Sequence, residues 1–128
     1  MRILPFLALA CLFALTSCSD SPEKIADDQI SYLKELTEIL DGIAEGEISS
    51  SDGAKKIQKW GKKGNKIQER IKALKEKYSD EELQDIDDKY KTEMRDAFKK
   101  LMATIVKLQK SGRMTQEIKD AMENVKLN

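Results

Sequence analysis

The chain contains no histidine, and its two cysteines, Cys11 and Cys18, both stand near the N-terminus. No zinc site, Cys/His nucleophile or disulfide framework can therefore be assembled in the body of the protein. Proline occurs only at Pro5 and Pro22, so no proline breaks a helix after residue 22. An excess of charge of one sign is also missing: 23 Lys and Arg meet 23 Asp and Glu. Setting aside Arg2 leaves 22 basic against 23 acidic residues, and no whole-molecule field draws in nucleic acid or an anionic membrane. The longest apolar run, Ile3 to Leu15, is 13 residues, too short to span a bilayer, which takes about 20. Beyond residue 17 only about a third of the residues are apolar, in a body of about 111, enough for one modest domain.

What is present begins with an abrupt change of composition. Met1-Arg2 is a short positive segment, Ile3 to Leu15 is uncharged and mostly apolar, and Ser19-Asp20-Ser21-Pro22-Glu23 is polar. That order is that of a secretory signal peptide over residues 1–17. At the junction, Leu15-Thr16-Ser17-Cys18 resembles the lipobox of bacterial lipoproteins: a branched residue, two small ones and a cysteine. The resemblance implies that the Cys18 thiol receives a diacylglyceryl group, that signal peptidase II cuts in front of it, and that the mature chain carries three palmitate-like acyl chains. One chain holds a protein to a membrane only marginally, whereas two or more, at about 0.8 kcal/mol per buried CH₂, anchor it durably. An ordinary secretory leader is disfavoured because no Ala-x-Ala stands at the junction. By the enterobacterial sorting rule, Ser19 rather than aspartate after the cysteine favours the outer membrane. Residues 18–21 then form the anchored linker, and 22–128 the folded body.

The body reads as helix throughout. Pro22 suits a first helical position with Ser21 as its cap, and Leu33, Leu36, Leu40 and Ile43 step by 3, 4 and 3, with Ile30, Tyr32 and Ile39 widening the stripe. That predicts a first helix over about 22–46, ended by Gly46 and the Ser49-Ser50-Ser51-Asp52-Gly53 cluster. Ile57, Trp60, Gly64, Ile67, Ile71, Leu74 and Tyr78 make a coiled-coil-like a/d seam on a second helix, which demands a partner. Ser79 and Glu82 form a capping box and Tyr78 and Leu83 a hydrophobic staple, predicting a tight reversal into a third helix. There Leu83, Ile86, Tyr90, Met94, Ala97, Leu101, Ile105 and Leu108 form one apolar row, and Phe98, Met102 and Val106 a second. Ser111-Gly112 closes it, and Thr115 caps a short fourth helix with Ile118, Met122 and Val125 inward. The expected fold is all-α, an antiparallel bundle of three long helices plus a short C-terminal one.

Near-neutrality hides segregation. Residues 22–47 hold eight acids against Lys24 and Lys34, a net of −6, while 52–78 hold ten bases against three acids, a net of +7. Neighbours of opposite sign suppress wrong registers more than they add stability. The row Lys55, Lys56, Lys59, Lys62, Lys63 and Lys66 is thus expected mainly to pair with the acidic helix or to be plainly solvated, with binding of an anionic envelope polymer or small ligand as the alternative use. Gly61-Lys62-Lys63-Gly64 matches the phosphate-clamping loop of KH domains, but that fold needs strands, and close helix approach around Trp60 or a kink is the better reading. Asp85, Asp87 and Asp88 lack the turned loop and glycine that a calcium site needs and read as a helix N-terminus matched to its dipole. No metal, cofactor or nucleic acid is expected.

The segments KELTEILDGI, KKIQERIKALKEKY and DDKYKTEMRDAFKKLMATIVKL, an acidic helix, a basic one and an aromatic-containing third, resemble small helical bacterial envelope lipoproteins over most of residues 30–125. The shared features are periodicities, so the resemblance carries no catalytic residue. With neither imidazole nor body thiol, catalysis would need carboxylates or lysines shifted in a dry pocket, which so polar a body offers little to build. The expected function is a non-enzymatic, lipid-anchored interaction or scaffold module with a protein partner in the envelope. Attachment to peptidoglycan through a terminal lysine is disfavoured by the ending Lys126-Leu127-Asn128. Replacing Cys18 with Ser is expected to abolish lipidation and release the protein from membranes. Mass spectrometry finding an unmodified N-terminus on the wild-type membrane form would contradict the lipobox.

Overall fold

The computed structural model describes residues 20–125, and the expected leader and Cys18 lie outside them. Four helices follow in order: α1 Pro22–Ala44, α2 Ser50–Lys77, α3 Asp80–Lys110 and α4 Gln116–Asn124, with no strand among the described residues. The protein is all-helical as expected, and α1 stops two residues short of the expected Gly46, which instead takes the left-handed conformation (φ +80°) that ends the helix. Gly112 (φ +74°) does the same after α3.

Each helix starts on a hydroxyl that satisfies a free backbone N–H. The Ser21, Ser49 and Thr115 side chains accept from the N–H groups of Lys24, Asp52 and Ile118 at 3.1, 3.2 and 3.4 Å. At α3 the box is reciprocal: Glu82 N–H donates to the Ser79 hydroxyl and Ser79 N–H donates to the Glu82 carboxylate, both at 3.2 Å. The reversal between α2 and α3 therefore takes only Tyr78 and Ser79.

Position in the assembly follows from how many sides of a helix are apolar. Half of the buried apolar side chains belong to α1, from Ile25 to Ala44, and they occupy a face too wide for one neighbour. α1 accordingly sits between α2 and α3 and packs on both, while α4 packs on α2. Ion pairs fix the directions. Glu23 with Lys89 and Asp41 with Lys107 both span 66 residues, so α1 and α3 run parallel, whereas Asp28 with Arg70 and Glu35 with Lys63 run in opposite order along α1 and α2. α4 lies along the first half of α2, with Ile118 over Gly53 and Val125 over Gly61. The fully buried centre joins Leu36, Leu40 and Ile43 to Ile57, Trp60, Leu108 and Ile118.

Trp60 is the best-tied side chain of this core. Its ring stacks on Tyr32 at 4.0 Å and 7°, and its Nε1–H donates to the Tyr32 carbonyl at 2.7 Å. Gly64 admits that pair, because a Cβ there would stand 2.2 Å from the Tyr32 hydroxyl. Close approach is thus the use of Gly61 and Gly64, and α2 runs through both without a break. The seam of α2 finds its partners in α1 and α4 rather than α3: the two helices joined by the tight turn make almost no contact along their lengths. Of the third helix's second row, Phe98, Met102 and Val106 remain 50%, 52% and 45% exposed.

Ser79→Ala should destabilise the body by about 1 kcal/mol through the lost cap, and Leu83→Asp by more, since it places a charge in the half-buried staple. Denaturant melts of residues 19–128 measure both, and two unchanged midpoints would contradict the turn as the joint of α2 and α3.

Candidate functional site

The separation of α2 from α3 leaves an open slot of about 700 Å³ along the molecule. Tyr32 and Leu33 of α1 form its floor, Ile67 and Ile71 one wall, Met94, Phe98 and Leu101 the other, and Asn124 and Val125 of α4 reach one end. Gln58, Lys62 and Asn65, at helical spacing, put a polar row on the α2 side. A smaller recess of about 360 Å³ between α1 and α3 shares Gln29, Met94 and Phe98 with it and adds Lys91 and Arg95. The slot exists because the core side chains of α1 hold α2 and α3 on its two flanks, so their facing edges reach each other only at the Ser79 turn.

The lysine row divides unequally. Lys63 alone reaches α1, pairing with Glu35 at 2.7 Å, and Lys62 lies on the slot wall. Lys55, Lys56, Lys59 and Lys66 are exposed, and they and Lys62 have no carboxylate partner among the described residues. The expectation that the row mainly pairs with the acidic helix is corrected by this geometry. Lys55, Lys59, Lys62 and Lys66 recur every three or four residues on a face of α2 turned away from α1, and the acids of α1 are engaged elsewhere. Lys107 of α3 bonds Asp41 at 2.7 Å and also Glu45, Lys89 pairs with Glu23 at 3.6 Å, and Arg70 takes Asp28 and Asp20 at 2.7 Å each.

These pairs shift the groups that form them. Hydrogen bonds donated to Asp41 and Glu45 push the Lys107 ammonium above the usual lysine range, and bonds donated to Asp20 and Asp28 raise Arg70 further. The Arg70 bond in turn holds the Asp20 carboxyl below the ordinary aspartate value. All are solvent-screened contacts, which set direction and register more than they add stability. Arg70 also does something positional: a fork with bonds of 2.7 and 3.1 Å fastens Asp20, two residues after Cys18, to the last third of α2. Sequence spacing gave no signal for this contact across 50 residues.

Burial pushes the Tyr32 phenol up to about 12, with the Glu35 charge adding to the shift and the Gly64 backbone opposing it. Asp85, Asp87 and Asp88 stand exposed in the first turns of α3, Asp88 accepting from Gln84 at 3.2 Å. Among the described residues no group of three or more His, Cys, Asp or Glu could hold a metal ion, and no helix is long and apolar enough to cross a membrane.

Fold and surface together define an all-α body of four helices with one open apolar slot, one free lysine face and one uncovered apolar stripe. Comparison with protein-family models, with curated proteins and with solved structures finds no match for the chain.

Two outcomes follow from this geometry. Reversing Lys59, Lys62 and Lys66 to Glu together should change stability by less than about 0.5 kcal/mol, because the row lies on the surface and lacks internal partners. A melt lowered strongly at low salt and restored at high salt would show that the row does pair with α1. Tyr32 sets an alkaline limit. Its folded pKa lies above the unfolded 10, so its contribution is complete below pH 10 and is lost as pH rises towards 12, where the unfolded chain has released the proton that the fold retains. Melts across pH 9–12 should fall less steeply for Tyr32→Phe than for wild type, and parallel curves would contradict the burial.

Proposed function

We propose that the protein is a lipid-anchored, non-enzymatic interaction module of the cell envelope, held through Cys18, which presents a helical surface to another protein. In this reading the three long helices act as an up-down-up bundle, α1 parallel to α3 and α2 antiparallel to α1, left open along one side. The observation that carries the reading is the uncovered Phe98-Met102-Val106 stripe on α3. Three large apolar side chains in successive turns form one continuous band, and such bands on small proteins mark contact surfaces. Arg95, Lys99 and Lys110 stand three or four residues from members of the stripe, so the fitting partner is an amphipathic helix with an apolar face and acidic flanks. Leu101, three residues from Phe98 on the same helix, belongs to the buried core on which α3 rests.

One observation favours a second reading, in which an anionic envelope polymer binds the lysine face of α2. The Arg70 fork ties the chain just after the anchor to the far end of α2, and Lys66 to Lys55 lie about 6–22 Å back along that helix. An anchored molecule would then hold this row away from its own membrane and towards whatever faces it.

A photo-crosslinker at position 102 in native membranes separates the two. The first reading expects a captured protein whose crosslinked peptide has an apolar face flanked by Asp or Glu, and loss of that capture in Phe98→Glu with lipidation intact. No capture at 102, together with retention on an acidic polysaccharide that the Lys59/Lys62/Lys66→Glu chain loses at physiological salt, would put the second reading first.

A further inference from the structure

The slot between α2 and α3 meets the stripe at Phe98 but is otherwise lined by other residues, and its chemistry points to a different ligand. Along α2 it runs from Gln58 to Ile71, about 20 Å at 1.5 Å per residue. A volume near 700 Å³ spread over that length makes an elongated groove open along one side. A methylene chain can lie along such a groove with carbon contacts near 4 Å to its walls. Ile67, Ile71, Met94 and Phe98 supply apolar walls on both sides of such a chain, and the volume lies within the usual range of small-molecule sites. Among the residues lining the slot itself, Lys62 on the α2 edge is the charged one. Lys62 lies on the wall, Lys59 and Lys66 stand three and four residues from it, and these ammonium groups have no carboxylate partner among the described residues.

We propose that this slot binds a single-chain anionic amphiphile, a fatty-acid-like molecule whose acyl chain lies between Ile67, Ile71, Met94 and Phe98 and whose acid group meets Lys62. Each methylene removed from water strengthens binding, and the acid selects the α2 edge because the opposite wall at Met94, Phe98 and Leu101 is apolar. The inference goes beyond the interaction-module reading and does not require the anchor, since every residue named lies within the described body.

The test uses the full chain in phosphatidylcholine nanodiscs with palmitate carrying a mid-chain diazirine, and with the matching neutral hexadecanol probe. Crosslinks are expected on the slot walls around Ile67, Ile71 and Phe98. Ile71→Trp, which fills the slot, should reduce palmitate labelling about tenfold, and Lys62→Glu about fivefold, the size of one exposed ion pair. Circular dichroism melts of both variants establish that they remain folded, and Ile67→Trp serves if Ile71→Trp does not. The same pattern in a Cys18→Ser chain would keep the slot assignment even if the anchor reading failed. Labelling scattered over the helix surfaces and indifferent to a folded slot-filling variant would overturn the proposal. So would hexadecanol labelling equal to palmitate and insensitive to Lys62→Glu, or displacement of palmitate only by an acidic helical peptide.

Discussion

Among the described residues α1 carries half of the buried apolar side chains, on a face wide enough for two long neighbours, and the arrangement of the other three helices follows from that. α1 buries Ile30, Leu33, Leu36, Ile39, Leu40 and Ile43 over a face that a single neighbour cannot cover. Two helices must therefore flank it. Each is joined to the other by a two-residue turn yet held apart by the width of α1, and the space between them is what remains when a short fourth helix covers only the first half of α2. The Trp60 and Tyr32 pair locks this spacing, because a stack at 4.0 Å and a hydrogen bond of 2.7 Å fix α2 against α1 at one height and one rotation. Gly64 is the backbone position that makes the height possible.

Electrostatics divides the molecule along different lines from packing. The acids of α1 meet Lys107, Lys89 and Arg70, whose positions span both flanking helices, while the most concentrated run of lysines points outward. Net charges of −6 and +7 on neighbouring helices therefore meet by contact only at Lys63 with Glu35 and Arg70 with Asp28 among the described residues. The pairing that does form sets direction and register, and the lysines left over remain a solvated surface with nothing inside the molecule to hold them. Arg70 is the exception in kind: its planar fork gathers two carboxylates and draws the chain at Asp20 onto the fold.

Helix boundaries and caps were legible because they are local. Ser21, Ser49, Ser79 and Thr115 all act within three residues of the donor they satisfy. The core was legible too, and the extra apolar positions Ile30, Tyr32 and Ile39 already carried the sign that α1 is two-sided. What the sequence hid is pairing between helices. An a/d seam states that a helix needs a partner without stating which, and α2 uses α1 and α4 where the hairpin suggested α3. Charge totals likewise hide which lysine faces which acid, since 100° of rotation per residue decides it. The slot follows from that missing contact and has no signature of its own; the nearest signal was the second apolar row of α3, more than one buried face requires.

The central claim is that α1 is the helix packed on both sides and that the α2–α3 flank is open. Native-state hydrogen exchange tests it most directly, because amides protected only by local structure open without global unfolding. The account predicts that amides from Leu36 to Ile43 exchange only through global unfolding, while those from Ile67 to Lys77 and from Leu83 to Met94 exchange at least about tenfold faster. Protection in those two flanking segments equal to that of α1 would mean that α2 and α3 pack on each other, and would contradict the open arrangement.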